Sequence, residues 1–207
     1  MVALPLDTAS LLAIAAALGW ASGLRLYAVV FLTGMAGFLG WVELPSGLKL
    51  LQSPVMLGAS GFMLSIEFFA DKIPGVDTLW DMVHTLVRIP AGAALAAAVF
   101  GTDPSSWAMA AALMGGTLAA TSHIAKATTR AALNTSPEPF SNVAMSLLGD
   151  GLVPASLWLS WAHPAAFFAA LAVALVVMVV LTWVLAKYVR QLAARVSNLF
   201  AAARPSV

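Results

Sequence analysis

The stretch Asp77-Thr-Leu-Trp-Asp81-Met-Val-His84-Thr-Leu-Val-Arg88 carries four ionisable side chains at spacings of four, three and four residues. Residues at these spacings lie on one face of an α-helix, because the helix completes a turn in about 3.6 residues. Most of the positions between them are apolar. The pattern predicts a helix with one polar face, and we call its members Asp77, Asp81, His84 and Arg88 the polar stripe.

The chain around the polar stripe is mostly apolar. Hydrophobic residues make up 61% of its 207 residues and charged residues only 9%, and the mean hydropathy is +0.94. Its apolar runs approach the roughly 20 residues that a helix needs to cross a hydrocarbon layer about 30 Å thick. This composition predicts an all-α integral membrane protein, a polytopic helical bundle that forms a single domain over residues 1–207.

About six transmembrane helices fit the distribution of apolar runs, glycines and prolines. We expect them at about residues 8–40, with a bend near 19–23, then 50–70, 77–100, 106–134, 139–158 and from 164 onward. The Pro74-Gly75 pair would end the second helix, and Asp77 would cap the third. The leader before the first run carries only Asp7 and lacks the basic flank of a secretory signal, so we expect that run to be retained.

Two short segments of the chain resemble each other. Ser22-Gly23-Leu24-Arg25 follows the first apolar run much as residues 122–126 follow the fourth. Two copies of three helices each would be inverted in the membrane, which is a common design of transporters. The similarity favours the hypothesis of a 3+3 inverted repeat, with copies at residues 8–100 and 106–186.

Basic residues orient the predicted bundle, because lysine and arginine accumulate in cytoplasmic loops. They are frequent in the tail 187–207 and around the second and fourth connections, whereas the turns between helices three and four and between five and six have none. This asymmetry predicts a multi-pass protein with both termini in the cytoplasm and Lys49 as the one exception. The tail is either an amphipathic extension on anionic lipid or a positive segment that sets the topology.

A second polar face is predicted on the fourth helix, where His123, Lys126, Arg130 and Asn134 follow one another at spacings of three, four and four. Glu67 and Asp71 end the second helix, and further acids flank or interrupt the fifth. Charges inside a membrane are costly unless they pair, so we expect these groups to meet in the bundle interior. The candidate residues for binding a substrate or an ion are Glu67, Asp71, Asp77, Asp81, His84, Arg88, His123, Lys126, Arg130, Asn134, Glu138 and Asp150.

Three chemistries fit this set of residues. Asp77, Asp81 and His84 resemble a site for a divalent cation, which would be the one cofactor. Lys126 and Arg130 would instead suit a phosphate or carboxylate, and His84 and His123 would suit a proton relay. The plain alternative is that the charges only cap and join helices near the membrane interface.

Several classes of function are excluded or disfavoured. The chain has no cysteine, which rules out disulfides and thiolate chemistry, and its net charge of +1 implies no nucleic-acid partner. No phosphate-binding glycine loop, zinc-protease helix or nucleophile elbow occurs. The expected partners are membrane lipid and a small polar or ionic solute. Small-residue segments such as Gly34 to Gly37 and Gly115-Gly116 predict close helix packing and are compatible with a homo-oligomer.

The polar segments resemble those of a known family. The run from Glu67 to Arg88, followed by Gly92-Ala93, and the block from Lys126 to Asn142 are similar to the two polar segments of a small bacterial membrane family catalogued as domain of unknown function 4126. The resemblance extends over about residues 11–185. It implies a bacterial inner-membrane location and a site at these residues, but it implies no activity.

Together these observations predict a membrane transporter or channel that moves a small polar or ionic solute, coupled to a cation or to protons, through a charge-lined internal site. One alternative is a membrane enzyme that acts on a lipid phosphate or pyrophosphate at the cytoplasmic face, with a divalent metal on the carboxylates. Another is a non-catalytic scaffold whose charges are only internal contacts, which predicts a closed polar cluster without a cavity.

Overall fold

The computed structural model describes residues 7–73, 75–101, 105–135 and 140–202, with side chains described as far as residue 195. Its elements are α1 (Thr8–Phe38), a 3-10 helix (Ser46–Gln52), α2 (Pro54–Ala70), α3 (Val76–Ala98), α4 (Ser106–Leu133), α5 (Phe140–Ala162) and α6 (Pro164–Ala202). These described ranges contain no strand, so the predicted all-α fold is confirmed. Most helix limits agree with the sequence-based ones within a few residues.

Side-chain caps explain where several helices begin. Asp7 accepts a hydrogen bond from the backbone N–H of Ser10 at 2.8 Å and so starts α1. Hydrogen bonds from Ser10 also lower the pKa of the exposed Asp7 carboxyl. The second predicted helix begins later than expected, because the 3-10 helix comes first and Ser53 then caps α2.

The expected cap of α3 is incorrect. Gly75, with a φ of +87°, precedes the helix, and Asp77 lies in its first turn. Asp77 Oδ1 accepts hydrogen bonds from the backbone N–H groups of Gly75 at 2.9 Å and Thr78 at 2.6 Å. Asp77 therefore still satisfies backbone donors at the start of α3, but from inside the helix.

The bend that we expected near residues 19–23 lies at Arg25. This residue has an extended backbone, with φ −149° and ψ 89°, inside an otherwise helical segment. The first half of α1, residues 8–24, packs closely against α4: a Cβ added to Gly19 would lie 2.5 Å from the Cα of Gly115. Beyond Gly19, Leu24 contacts Lys126 of α4, so this half runs in the same direction as α4.

The second half of α1, residues 26–38, runs back. A Cβ added to Gly34 would lie 2.3 Å from the carbonyl oxygen of Leu51, and one added to Gly47 would lie 2.2 Å from that of Ala98, at the end of α3. A straight α1 would carry Gly34 about 22 Å away from Gly19, towards the C-terminal end of α4 and away from Ala98. The two halves of α1 therefore form a hairpin with Arg25 at its turn.

This hairpin determines at which end of the bundle α1 begins. Leu11 shares a surface pocket with Trp41 and Trp161, so α1 starts at the end of the bundle where α5 ends. We call this the tryptophan end. From there α6 runs for 39 residues to the opposite end, which carries Lys187 and Arg190 and which we call the basic end. The first six and the last five residues lie outside the described ranges, and the expectation that both termini are cytoplasmic stays a prediction.

The parallel course of residues 8–24 and α4 also bears on the repeat hypothesis. In an inverted repeat of three helices per copy, equivalent helices run in opposite directions. The segments that resemble each other run side by side in the same direction, and Ser122 Oγ donates to the carbonyl of Trp20 at 2.6 Å. The inverted repeat stays a prediction that this geometry disfavours.

Length and composition make the described chain that of a membrane protein. By length and composition, four helices, α1, α4, α5 and α6, could cross a membrane, and the 3-10 helix with α2, bent by 70°, could make a fifth span. Because α1 reverses at Arg25, its two halves do not form one straight crossing. Six spans therefore remain a prediction. α3, which carries Asp77, Asp81 and Arg88, is not among these helices. The most apolar part of α6 has no buried residue, so this helix lies on the outside of the described bundle.

Candidate functional site

Ten charged side chains form one connected set of ion pairs inside the bundle, which we call the charge network. They come from α1, α2, the turn after α2, α3, α4 and α5. Five are acids and five are bases, so the network is neutral overall when all are ionised. Its members are Glu67, Asp71, Asp77, Asp81 and Asp150 with Arg25, Lys72, Arg88, Lys126 and Arg130.

Asp71, in the turn after α2, is the centre of the network. Its Oδ2 lies 3.0 Å from Arg25 Nη1 and 2.9 Å from Lys126 Nζ, and its Oδ1 lies 2.9 Å from Arg130 Nη1. The side chain is fully buried. Burial alone would raise the pKa of Asp71, but the three cations outweigh it and hold the pKa below its ordinary value. Asp71 is therefore a carboxylate shared by three bases.

Arg25 joins the turn of α1 to α5. Its Nε lies 2.9 Å from Asp150 Oδ1, and its Nη2 donates to the carbonyl and hydroxyl oxygens of Ser146 at 3.0 and 2.8 Å. Because the helix is interrupted at Arg25, the carbonyl of Leu24 is available to Lys126 Nζ, which donates to it at 2.9 Å. Non-helical backbone inside a membrane is tolerated only where protein groups or water satisfy its hydrogen bonds.

Our sequence reading missed Arg25, Lys72 and Ser146 as members of the site. Arg25 had a signal that we did not use: it is the only charged residue between positions 8 and 42. An isolated charge in such an apolar run indicates a buried partner. Lys72 was interpreted only as a topological charge, yet its Nζ lies 3.1 Å from Asp150 Oδ2 and 3.1 Å from the Phe68 ring centroid.

The polar stripe is buried as a unit, as its spacing predicts. All four members are at most 7% exposed. Asp81 binds Arg88 Nη1 on its own helix, and it reaches α4 through Lys126 Nζ at 3.3 Å and Arg130 Nη1 at 3.2 Å. The polar faces of α3 and α4 therefore meet inside the protein.

A fully buried pair extends the network towards α2. Arg88 Nη2 lies 2.8 Å from Glu67 Oε1, and neither side chain is exposed. Within the described residues Glu67 Oε2 and Arg88 Nε have no hydrogen-bond partner. Unpaired buried polar atoms are costly, and each leaves a position that a ligand atom can satisfy.

His84 and His123 have different surroundings. His123 contacts the network, with Nδ1 3.4 Å from Arg88 Nη1 and Nε2 2.7 Å from Thr85 Oγ1. His84 instead packs against aromatic rings: it stacks on Trp80 at 4.0 Å, and its Nδ1 lies 2.8 Å from the Trp80 carbonyl. The structure does not bring the two rings of the suggested proton relay together.

The three suggested metal ligands also have separate partners. Asp77 Oδ1 is engaged by backbone donors and by Asn134 Nδ2 at 3.3 Å, Asp81 pairs with cations, and His84 stacks on Trp80. Across the described ranges no three acidic or histidine side chains are grouped to hold a metal ion. A divalent cation stays a prediction. Glu138, another candidate, lies outside the described residues.

A cavity of about 230 Å³ lies beside Asp71, between α1, α4, α5 and α6. We call it the lateral cavity. Its polar wall is formed by Arg25, Asp71, Lys126, Arg130 and Ser146, and its opposite wall by apolar residues of α5 and α6 such as Leu148, Leu152, Val177 and Leu181. The charge network thus has one flank beside a cavity, while Arg25, Asp71 and Arg130 themselves are at most 4% exposed.

Comparison with known proteins identifies the family but no activity. Neither a curated protein nor a solved structure matches the chain. The family model described as Domain of unknown function (DUF4126) matches residues 12–184, which include every charged residue of the network. The chain therefore belongs to this family.

Proposed function

We propose that the protein is a membrane transporter or channel that moves a small polar or ionic solute through the charge network. The observation that carries this proposal is the turn of α1 at Arg25, which lies inside the network. Transporters place their substrates where helices are interrupted near the middle of the membrane, because the interrupted backbone offers polar groups there. Arg25 and the Leu24 carbonyl lie at such an interruption of a helix, which supports the proposal.

Stability alone gives a weak reason to keep ten charges inside an apolar bundle. Replacing a buried ion pair with well-packed apolar residues is often neutral or stabilising. Ionisable residues within membrane segments accordingly tend to mark solute or proton pathways. The density of ion pairs around Asp71 and Asp81 supports a role beyond holding the helices together.

The charge balance suggests how a solute would be accommodated. The network is neutral with its members ionised, so an arriving ion must displace one partner or be accompanied by a counter-ion or proton. Asp71 and Asp81 each contact three bases, and both contact Lys126 and Arg130. Lys126 and Arg130 can therefore exchange one carboxylate partner for the other, or for an anion, and still keep an ion pair.

Orientation is part of the proposal. The basic end carries Lys187, Arg190 and Arg195, whereas Lys49 lies towards the tryptophan end. Positive residues favour the cytoplasmic side, so the basic end would face the cytoplasm of a bacterial inner membrane. The start of α1 would then face the opposite side.

The alternatives are less well supported. A scaffold predicts a closed polar cluster, whereas the network borders the lateral cavity. An enzyme that uses a divalent metal on Asp77, Asp81 and His84 would have to release these side chains from the separate partners that they now have.

Proteoliposomes test the proposal. Purified protein is reconstituted with a pH-sensitive dye inside, a potassium diffusion potential is applied, and sodium, phosphate or acetate is added outside in turn. We expect at least one of these ions to change the internal pH faster than in protein-free liposomes. Asp81→Asn should slow the change by about tenfold or more, because Arg88, Lys126 and Arg130 would lose a carboxylate that they share on the proposed path.

Two further variants make the result interpretable. Asp7→Asn changes an exposed acid outside the network and should keep the wild-type rate. Asp150→Asn changes the most exposed acid of the network, at 23% exposure, and serves if Asp81→Asn does not fold. Wild-type rates in both network variants would rule out transport through the network.

A further inference from the structure

We propose that the lateral cavity binds a single-chain anionic amphiphile, with its phosphate or carboxylate head on Arg25, Lys126 and Arg130 and its hydrocarbon chain against α5 and α6. This inference rests on the proposed transport function and names the class of solute. Its basis is that one wall of the cavity is formed by charged and polar residues and the opposite wall by apolar residues.

The polar wall is lined by more bases than acids, because the other acids that pair with these bases, Asp77, Asp81 and Asp150, lie outside the cavity lining. Three bases line it but only one acid, Asp71, whose two oxygens are divided among all three. An oxyanion arriving from the cavity would offer these bases acceptor atoms in place of those of Asp81 and Asp150. Arginine is suited to this role because its planar group binds carboxylate or phosphate through two parallel hydrogen bonds.

Arg25 has donors left for such a ligand. Its Nε and Nη1 lie 2.9 and 3.0 Å from the carboxylates of Asp150 and Asp71, yet neither makes a hydrogen bond of good geometry within the described part of the chain. Arg25 is only 1% exposed, so bulk water does not satisfy these donors. A buried guanidinium with poorly directed contacts gains from an additional acceptor.

The apolar wall faces the lipid. Leu148 and Val177 are 52% and 56% exposed, and Leu152 and Leu181 are 38% and 37% exposed, so α5 and α6 border both the cavity and the membrane interior. A hydrocarbon chain here exchanges lipid contacts for protein contacts at little cost. The polar head would meanwhile lie on the bases at the inner wall.

Size favours one chain. At about 30 Å³ for each water molecule, 230 Å³ corresponds to roughly seven or eight waters. This volume accommodates an oxyanion head and the first carbons of a chain, with the remainder between α5 and α6. A cationic head would be repelled by the three bases, and an uncharged head would bind the Arg25 donors more weakly than an oxyanion does.

A thermal-shift experiment in phosphatidylcholine nanodiscs tests this site. The probes are dodecyl phosphate, inorganic phosphate and dodecyltrimethylammonium. A ligand that binds only the folded protein raises the Tm with its concentration. We expect dodecyl phosphate to raise the Tm, and we expect the other two to have no effect at the same concentrations.

Two matched substitutions locate the binding. Leu152→Trp fills the cavity from its apolar wall and changes no charge, so it should abolish the dodecyl phosphate shift. Leu147→Trp places the same ring on an exposed position of α5 outside the cavity lining and should keep the shift. Lys126→Gln should weaken binding at least tenfold.

The outcomes separate this inference from the proposed function. An equal shift with inorganic phosphate means a soluble anion and overturns the amphiphile, and an undiminished shift in Leu152→Trp overturns the cavity. If dodecyl phosphate binds as expected but no ion or amphiphile crosses proteoliposomes, the site stands and transport is wrong. If dodecyl phosphate does not bind but Asp81-dependent flux persists, transport stands and this inference is wrong.

Discussion

Arg25 Nη1 lies 3.0 Å from Asp71 Oδ2, so the residue at which α1 reverses is held by the residue that follows α2. Neither side chain is accessible to solvent beyond 2%. The pair therefore joins the turn of a buried hairpin to the centre of the charge network. Its loss should affect the fold and the proposed solute path together.

A double-mutant cycle on this pair should show strong coupling. Arg25→Gln leaves Asp71 with two bases and Asp71→Asn leaves three bases around a neutral group, and each should lower the free energy of unfolding by about 3 kcal/mol or more. The double variant should lose less than the sum, with a coupling of about 1–3 kcal/mol, because the single variants each leave buried charges unmatched.

Unfolding in mixed micelles, followed by the loss of helical circular dichroism, measures this cycle. Lys187→Gln, on the basic end of α6 and outside the network, provides the reference variant. If the losses of Arg25→Gln and Asp71→Asn simply add, the contact between them does not determine the turn of α1.

The packing of α1 against α4 predicts a large effect at Gly23. A Cβ at this position would lie 2.0 Å from Ser122 Oγ and 2.1 Å from the carbonyl oxygen of Ala119. Gly23→Ala must therefore separate the helices, and we expect it to lower the free energy of unfolding by about 1–3 kcal/mol.

Gly58→Ala is the matched control for Gly23→Ala. Gly58 also lies in a helix, but nothing lies within 4 Å of an added Cβ, so alanine there should be neutral or stabilise by up to about 1 kcal/mol. The same unfolding measurement compares both variants. Equal stabilities would mean that α1 and α4 are not in close contact at Gly23.

Helical spacing and the cost of charge in lipid made much of the site predictable. The members of the polar stripe share a face at any helix length, and an apolar environment forces buried acids and bases to pair. Asp81 and Arg130, on different helices, meet for this reason. Asn134 likewise contacts Asp77, as its position on the second polar face suggested.

The reversal of α1 was not predictable from the same reasoning. Gly19 and Gly23 suggested a bend, but both serve close packing against α4, and the interruption lies at Arg25, which has no local signature of a turn. Its extended backbone is stabilised by partners from distant parts of the chain, Asp71 and Asp150. The course of α1 depends on these contacts.

Gly75 should tolerate substitution poorly although it has space around it. No atom lies within 4 Å of an added Cβ, but its φ of +87° is unfavourable for other residues. Gly75→Ala should lower the free energy of unfolding by about 1 kcal/mol or more, whereas Gly151→Ala, in helical α5 with equal space, should not lower it. Thermal unfolding compares the two, and a loss confined to Gly151→Ala would contradict the role of φ.

Asp71 should make stability depend on pH in the acidic range. Its pKa is lowered from the ordinary value of 3.8 in the folded state, so the unfolded chain binds more protons and the stabilisation is present above the unfolded pKa. It is lost as the pH falls below about 4 towards the folded pKa. Unfolding midpoints between pH 7 and pH 3 should fall less steeply in Asp71→Asn than in the wild type, whereas Glu43→Gln, at an exposed position, should follow the wild type. Parallel curves for Asp71→Asn and the wild type would show that the three bases around Asp71 do not stabilise its carboxylate.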